Sequence, residues 1–479
     1  MTNIHPTPLS APAETLAGPG FDQLPLSTAM LDNLRQLQYL TMTPIQAASL
    51  PLALAGHDLI AQAKTGSGKT AAFGLPILTR LNPKLFKVQS LVLCPTRELA
   101  EQVSQEIRRL ARFADNIKVL TLCGGTLMRP QMNSLEHGAH IVVGTPGRIM
   151  DHLQRGSLQL NHLSGLILDE ADRMLDMGFY DDISAIAKQC PRQRQTLLFS
   201  ATYPNGIVKL AGQLLQNPQQ VHLHEQHASS KIRQRFYEID DQQRFEAVAT
   251  LLKHYRPLST LAFCNTKQQC RDLQEALLTQ GFSVLTLNGD LEQRERDQVL
   301  IQFANRSCSV LVATDVAARG LDISQLEAVI NVDVSPDPEV HVHRIGRTGR
   351  VDESGWALTL FSPQETPRVN QISQFMHTDL EFHQLEQLAD KHPAPLQAPM
   401  VTLQILGGRK DKIRPGDVLG ALTADGDFNG EQIGKINVTE QSTYVAVQRS
   451  IAKPAVRKLS TGKVKGKTVK VRLLTNTSS

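Results

Sequence analysis

The sequence predicts an α/β chain of two tandem parallel-sheet domains followed by a smaller α+β domain, and three observations carry that prediction. Short apolar runs that end in polar or small residues alternate with helical patterns over residues 21–220. The same alternation restarts after a polar stretch, His222 to Lys231, and fills a second span, residues 221–390. Beyond a proline-punctuated linker, residues 391–399, the pattern over residues 400–479 changes to strand, helix, two strands, helix and strand. Continuous apolar strands between helices are the mark of a parallel sheet covered on both faces. In such sheets ligands sit at the carboxyl ends of the strands.

Strands of the first domain are read at Leu59-Ile60, Leu91-Val92-Leu93, Ile141-Val142-Val143, Leu166-Ile167-Leu168 and Thr196-Leu197-Leu198-Phe199, with helices such as Glu98 to Phe113 between them. The second domain repeats the pattern at Leu261-Ala262-Phe263, Val284-Leu285, Val310-Leu311-Val312 and Val329-Ile330-Asn331-Val332. In the third, strands Val401 to Leu406, Ile433 to Val438, Thr443 to Val447 and Thr468 to Leu474 enclose helices Pro415 to Ala424 and Ile451 to Leu459. Residues 1–20 hold prolines and small residues without an apolar core, and are expected to form a disordered tip.

At 479 residues the chain exceeds one ordinary core and suits two or three. No run approaches the roughly 18 apolar residues of a membrane span. The six cysteines, Cys94, Cys123, Cys190, Cys264, Cys270 and Cys308, form no CxxC pair and no zinc-ligand spacing. A membrane-spanning function and a zinc module are thereby set aside, and a reducing, cytoplasmic setting is expected. The net charge of +4 does not by itself select a polyanionic partner; the distribution of charge has to.

Chemistry enters with Ala63-Lys64-Thr65-Gly66-Ser67-Gly68-Lys69-Thr70, which follows an apolar strand and opens a helix. Glycines let backbone N–H groups close around phosphate oxygens, Lys69 can meet the β/γ charge, and Thr70 can reach Mg²⁺. Asp169-Glu170-Ala171-Asp172 ends the run Gly165-Leu166-Ile167-Leu168, where a strand presents carboxylates beside that site. One carboxylate can hold Mg²⁺ through water while its neighbour polarises an attacking water. The reaction class is therefore phosphoryl transfer. Two further segments narrow it: Ser200-Ala201-Thr202 after a strand, and His343-Arg344-Ile345-Gly346-Arg347-Thr348-Gly349-Arg350. Arg347 and Arg350, three apart, are expected to project from one helical face toward a γ-phosphate.

With these motifs in order, residues 21–385 resemble the DEAD-box RNA helicases, whose two domains are RecA-like. The resemblance implies ATP and Mg²⁺ as cofactors. Phe21 and Thr43-Pro44-Ile45-Gln46 resemble the family's adenine-reading motif, in which the Gln46 amide can satisfy both a donor and an acceptor on the base edge. Gln38 and Met42 stand where the family usually has Gly and Pro. By resemblance, Lys64, Thr65, Gly66, Ser67, Gly68, Lys69 and Thr70 bind the nucleotide phosphates, Thr70 and Asp169 serve the metal, and Glu170 orients or activates water. Arg347 and Arg350 resemble arginine fingers, and Ser200 and Thr202 the motif that couples hydrolysis to strand separation. His343 is placed to bond toward the acidic motif and Asp322 resembles a ribose contact, so both domains share one ATP.

RNA contacts carry over to Pro95, Thr96, Arg97, Gly125, Thr145, Pro146, Gly147 and Arg148 in the first domain, and to Thr266, Gln293, Arg296, Thr314 and Arg319 in the second. Such groups suit sugar and phosphate and position a strand without reading its sequence. The implied action is local: ATP and RNA close the domains, one strand bends, and each lost stacked pair costs on the order of 1.4 kcal/mol.

The third domain's βαββαβ order matches an RRM-like fold, yet its central strands carry only Tyr444 where that family places several stacking aromatics. From Arg449 to Ser479 the charge has one sign, with Lys463, Lys465, Lys467, Lys470 and Arg472 among the cations and no Asp or Glu, which suits phosphate. Together with Arg414-Pro415-Gly416-Asp417 and Gly434-Lys435-Ile436, this resembles the bacterial DbpA subgroup, whose members anchor on large-subunit ribosomal RNA. The resemblance implies a cytoplasmic, monomeric, RNA-stimulated ATPase and helicase that acts on 23S rRNA in the precursor of the large (50S) ribosomal subunit, with neither DNA nor membrane as partner. Three alternatives stand beside it: a general RNA helicase or chaperone without rRNA specificity, a DNA-directed translocase, and a scaffold without turnover. The pairing of Asp-Glu-Ala-Asp with His-Arg-Ile-Gly-Arg argues against the second, and intact Lys69, Glu170, Arg347 and Arg350 against the third.

Overall fold

The computed structural model describes residues 18–63, 67–203, 205–222, 232–318, 326–349, 354–388, 394–424 and 426–474. It divides into two compact units, Met1–Glu225 and Gln226–Ser479. Among the described residues no helix is long and apolar enough to cross a membrane. All six cysteines are buried thiols.

Seven parallel strands form the sheet of the first unit: β1 (Leu59–Gln62), β2 (Ser90–Leu93), β3 (Val119–Leu122), β4 (Ile141–Gly144), β5 (Gly165–Leu168), β6 (Gln195–Ser200) and β7 (Gln219–His222). Their order is β3-β4-β2-β5-β6-β1-β7. Side chains of one strand alternate between two apolar layers. Ala61, Val92 and Phe199 pack with helices Pro44–Ala55, Lys69–Arg80 and Arg97–Leu110, whereas Ile60, Leu91, Leu93 and Leu198 pack with Pro146–Gln154, Tyr180–Gln189 and Asn205–Leu214. Burial on both faces is why these strands read as unbroken apolar runs. Each fully buried Leu or Val contributes about 1.5–3 kcal/mol.

In the second unit a like sheet comprises β8 (Ile232–Glu238), β9 (Thr260–Cys264), β10 (Val284–Leu287), β11 (Val310–Thr314), β12 (Ala328–Asn331), β13 (Gly355–Phe361) and β14 (Phe382–His383), ordered β10-β11-β9-β12-β13-β8-β14. The first of these, Ile-Arg-Gln-Arg-Phe-Tyr-Glu, carries no apolar run, because only its later residues Phe236 and Tyr237 are fully buried.

The same unit ends in an antiparallel sheet of β15 (Met400–Leu406), β16 (Ile433–Val438), β17 (Thr443–Gln448) and β18 (Lys470–Leu473), ordered β16-β17-β15-β18. Leu403, Ile405, Val445 and Val447 face a core shared with helices Pro415–Thr423 and Ala452–Thr461. The opposite face is polar and packs on the neighbouring parallel-sheet domain. Thr402 Oγ1 accepts from Asn305 Nδ2 at 3.3 Å and meets Ser307 Oγ at 2.7 Å, and Met400 N donates to Arg306 O at 3.3 Å. Gln404, fully buried, donates to Tyr444 Oη at 3.2 Å and accepts from Arg472 at 2.6 Å, while Gln298 reaches the same Oη at 3.4 Å. The face on which RRM-like domains stack bases is thus occupied by protein. That explains the missing aromatics and gives Tyr444, 4% exposed, a structural bond instead of a base.

The loop into the nucleotide site keeps its shape despite two departures from the family pattern. Helix Thr28–Gln36 closes with paired bonds, Gln38 N to Arg35 O and Tyr39 N to Leu34 O, which is the Schellman arrangement. Gln38 occupies its left-handed position at φ 65°, the conformation for which Gly is suited. Met42, buried, donates its N–H to Pro19 O at 2.9 Å, a bond that proline could not make. Gln38→Gly is expected to relieve this strain and stabilise the first unit by about 0.5–1 kcal/mol. A urea unfolding midpoint that stays level or falls would show that Gln38 carries no strain.

Candidate active site

Apart from the base-reading segment, which lies ahead of β1 on Phe21–Gln23 and the start of helix Pro44–Ala55, the nucleotide and RNA motifs of the first unit follow the carboxyl ends of strands. β1 leads into the phosphate loop, of which Lys64, Thr65 and Gly66 lie outside the described residues. Gly68 caps helix Lys69–Arg80 at φ 91°, and a Cβ there would stand 2.5 Å from Gln46 Nε2. That close approach requires glycine. Ala63, in place of the usual first glycine, has no positive φ to accommodate, and its N–H donates to Ser200 O at 2.9 Å. Lys69 is 6% exposed; its Nζ donates to Ala63 O at 3.1 Å and stands 3.8 Å from Asp169 Oδ1. Thr70 follows it on the first turn of the helix.

Thr43 Oγ1 donates to Ser67 O at 2.8 Å, and Gln46 Nε2 donates to Gly68 O at 3.0 Å while its Oε1 accepts from Thr43 N at 2.9 Å. One N–H and one acceptor lone pair of that amide remain. Phe21 is buried edge-on to Tyr39. Gln46 therefore binds the base-reading segment to the phosphate loop, a link that the sequence does not reveal.

β5 delivers the carboxylates. Glu170 turns the chain at φ 54°, ψ 52°, a left-handed conformation whose strain is of order 1–3 kcal/mol and is found where function demands it. Its Oε2 accepts from Arg173 Nη1 at 2.8 Å inside the protein. Asp169 is 2% exposed, and its Oδ1 has no hydrogen-bond partner among the described residues. A buried carboxylate oxygen left unpaired beside a lysine fits a hard cation ligand.

Asp172 is a site residue that sequence reasoning quoted but gave no role. Its Oδ2 accepts from Ala201 N at 3.1 Å, Thr202 N at 2.9 Å and Thr202 Oγ1 at 3.0 Å. Ser200 Oγ in turn accepts from Asp172 N at 3.3 Å and donates to Thr202 O at 2.7 Å. The acidic motif and the Ser-Ala-Thr loop form one bonded unit through this carboxylate.

On the other half of the sheet, β2, β4 and β3 end in the expected RNA loops. Pro95 precedes Thr96, whose Oγ1 caps helix Arg97–Leu110 by accepting from Leu99 N at 3.3 Å. The Arg97 guanidinium fills the space above Gly124 and Gly125, the latter at φ 71°, where any side chain would collide with it. Thr145, Pro146 and Gly147 open helix Pro146–Gln154, and Arg148 Nη1 donates to Thr126 O at 3.1 Å and Gln131 Oε1 at 3.0 Å.

In the second unit Thr266 caps helix Lys267–Thr279, Gln293 begins helix Gln293–Ala304, and Arg296 donates to Ala317 O at 2.7 Å. Thr314 ends β11. Arg344, 1% exposed, is the unforeseen hub: it donates to both oxygens of Asp315 at 2.7 Å, to Asn265 Oδ1 at 3.0 Å and to Asp333 O at 2.8 Å. His343 lies half-buried on the last turn of the same helix. The expectation that Arg347 and Arg350 share a helical face is corrected for Arg347. The helix ends at Ile345, turning at Gly346, and Thr348 Oγ1 is tied to Leu326 O, so Arg347 sits in the following turn, 5% exposed. Arg350, Arg319 and Asp322 lie outside the described residues. Lys463, Lys465 and Lys467 stand exposed around the turn before β18, where Val464 pairs with Lys467.

Comparison with known proteins agrees with this arrangement. Residues 43–210 match the DEAD/DEAH box helicase model, 243–352 the helicase conserved C-terminal domain and 402–473 the DbpA RNA binding domain. The chain belongs to the DEAD-box ATP-dependent RNA helicases, within their DbpA subgroup. It is 52% identical to the ATP-dependent RNA helicase DbpA of Escherichia coli K12 over 94% of this chain and 98% of that protein. With the DEAD-box ATP-dependent RNA helicase CshA of Geobacillus kaustophilus it shares 42% identity over 75% of this chain and 77% of the relative. Among solved structures it is similar to Saccharomyces cerevisiae Dbp5 bound to RNA and ADP BeF3, with TM-score 0.70 and 30% identity over 77% of this chain and 96% of that one. The protein is an RNA-dependent ATPase and helicase.

Burial pushes the Asp169 carboxyl up from 3.8 to about 6; Lys69 opposes the shift and Glu170 adds to it. A raised pKa means that the fold favours the protonated form, so this group's contribution to stability is present at low pH and lost as pH rises through about 6. Divalent cation binding requires the ionised form and has the opposite slope. Mg²⁺-dependent nucleotide affinity is expected to fall about tenfold per pH unit below that value, and the dependence should flatten in Asp169→Asn; calorimetric titrations with and without Mg²⁺ check this. Asp172→Asn is expected to leave nucleotide affinity within about threefold while lowering duplex separation at least about tenfold, through loss of charge-assisted bonds. Equal losses in both assays would remove Asp172 from the coupling role.

Proposed function

We propose that this helicase anchors on 23S rRNA through its C-terminal domain and separates short duplexes locally in the assembling large ribosomal subunit. The observation that carries the reading is the match of residues 402–473 to the DbpA RNA binding domain, joined to the exposed lysines 463, 465 and 467. The division of labour follows the sequence: residues 21–220 for nucleotide and one part of the RNA track, 221–390 for the other, 400–479 for anchoring. Cytoplasmic location and a monomeric state belong to the same proposal.

In the proposed reaction Lys69 and the N–H groups of its helix hold the β- and γ-phosphates. Mg²⁺, held by Thr70 and through water by Asp169, would neutralise phosphate charge. Glu170 orients the water whose oxygen bonds to the γ-phosphorus as the bond to the ADP oxygen breaks, and Arg347 and Arg350 balance the charge that develops. Gln46 reads the adenine with its remaining donor and acceptor. Asp172 conveys the state of the acidic motif to the Ser200–Thr202 loop, and the arginines, hydroxyls and backbone of the RNA loops grip phosphate and sugar. ATP and RNA each draw on residues of both units, so both ligands favour the state in which those residues act together.

The test is steady-state ATPase with 23S rRNA, an unrelated RNA and no RNA. It compares the full chain, a chain ending before Ala398, and the full chain carrying Lys463→Glu, Lys465→Glu and Lys467→Glu. The triple variant leaves the Thr402 interface intact, so it separates anchoring from domain support. Preference for 23S rRNA is expected in the full chain and should fall at least about tenfold in both variants. Equal stimulation by every RNA would leave a general RNA helicase and end the specificity claim.

A further inference from the structure

At the amino ends of β8 and β13, Arg233 stands opposite Trp356, the one tryptophan of the chain. The Arg233 guanidinium lies 5.2 Å from the Trp356 ring centroid; that of Arg235 lies 5.0 Å from the same ring and 5.9 Å from the Tyr255 ring. The two rings are 4.6 Å apart, and Arg235 Nη1 donates to Tyr255 Oη at 2.8 Å. Guanidiniums held against rings lose little further freedom on binding and keep N–H donors to spare. Neither arginine pairs with a carboxylate among the described residues. Glu327 directs its carboxylate to Leu258 N at 2.7 Å. Arg233 is exposed, and Arg235, Trp356 and Tyr255 are half-buried.

The loops after Thr266, Gln293 and Thr314 lie on the β9, β10 and β11 side of this sheet, whereas this cluster lies at the amino ends of strands near the other edge. The turn of Arg347 and Thr348 also reaches that end, beside Leu326 and Gly355, while Trp356 packs into the apolar layer of Tyr237 and Leu358 on the opposite face from Ile345. β13 alone, seven residues long, spans roughly 23 Å. The cluster is therefore set apart from the RNA loops that follow β9, β10 and β11.

We propose that Arg233, Arg235, Trp356 and Tyr255 form a second RNA contact, which takes an unpaired nucleotide from a segment flanking the strand held by the motif loops. Phosphate oxygens meet the arginine N–H groups, and the base stacks on the exposed planes of the ladder. Planes alternating with cations match the alternation of base and phosphate; an acidic peptide would use the charges and leave the planes idle. The proposal rests on RNA binding in general and is independent of rRNA specificity.

Because the chain has one tryptophan, its emission reports this surface alone. Full-length protein is titrated with single-stranded RNA of about ten nucleotides, with RNA of about forty nucleotides, and with polyglutamate. ATPase is followed in parallel, so that occupancy of the motif track is known in every sample. Quenching by the long RNA and not by the short one is expected. Arg233→Glu should abolish that quenching and weaken long-RNA binding about fivefold, the lower end of what one stacked base contributes. Its ATPase with short RNA should stay within about twofold of the parent. Arg233→Lys, which keeps charge and loses the plane, should bind with intermediate strength. Unchanged emission at saturating long RNA overturns the proposal. Equal quenching by the short RNA overturns the flanking assignment, and quenching by polyglutamate alone reassigns the surface to an acidic protein segment.

Discussion

Burial of the central parallel strands on both faces forces their polar business to the ends. Leu91, Val92 and Leu93 have no solvent-exposed surface, so the chain can place hydrogen-bonding groups only after it leaves the sheet at Cys94 and Pro95. The same holds for Leu166, Ile167 and Leu168 of β5 ahead of Asp169. Because the order β3-β4-β2-β5-β6-β1 places the loops proposed for RNA on one half and the loop and carboxylates proposed for the nucleotide on the other, one sheet sets the starting points of both groups. Bonds such as Arg97 over Gly125 and Asp172 to Thr202 then hold loops whose ends are already set.

This constraint also explains what could be read in advance. A strand buried on both faces shows itself as an apolar run, and the loop after it as a cluster of glycines and polar residues, so the fold class and most motif positions are legible. β8 is not, because half of it lies near solvent and its arginines serve aromatic neighbours. Arg344 and Asp172 escaped assignment for a different reason. Their roles depend on partners far along the chain, Asn265 and Asp315 for the one, Ala201 and Thr202 for the other, and nothing in a local pattern names a partner. Arg347 was placed on a helix because spacing alone cannot see that the helix turns at Gly346.

The C-terminal sheet shows how a fold's usual recognition face can be given to another task. Thr402 bonds to Asn305 and Ser307, and Tyr444 accepts from Gln404 and Gln298, so the interface is polar at its centre and specific in its geometry. Hydrogen bonds of this kind contribute about 0.5–1.5 kcal/mol each when made and cost more when left unmade. Docking therefore depends on register, which orients the lysine-bearing turn relative to the domain it rests on.

Asp172 places one carboxylate oxygen against three donors, two of them backbone N–H groups. A neutral imidazole offers a single acceptor nitrogen, so a histidine at this position could not hold the loop Ser200–Thr202 in its present form. The family model that matches this region spans both Asp and His versions of the fourth letter. Exchanging that letter would therefore leave at least two of the loop's three donors, Ala201 N, Thr202 N and Thr202 Oγ1, without the acceptor they now share.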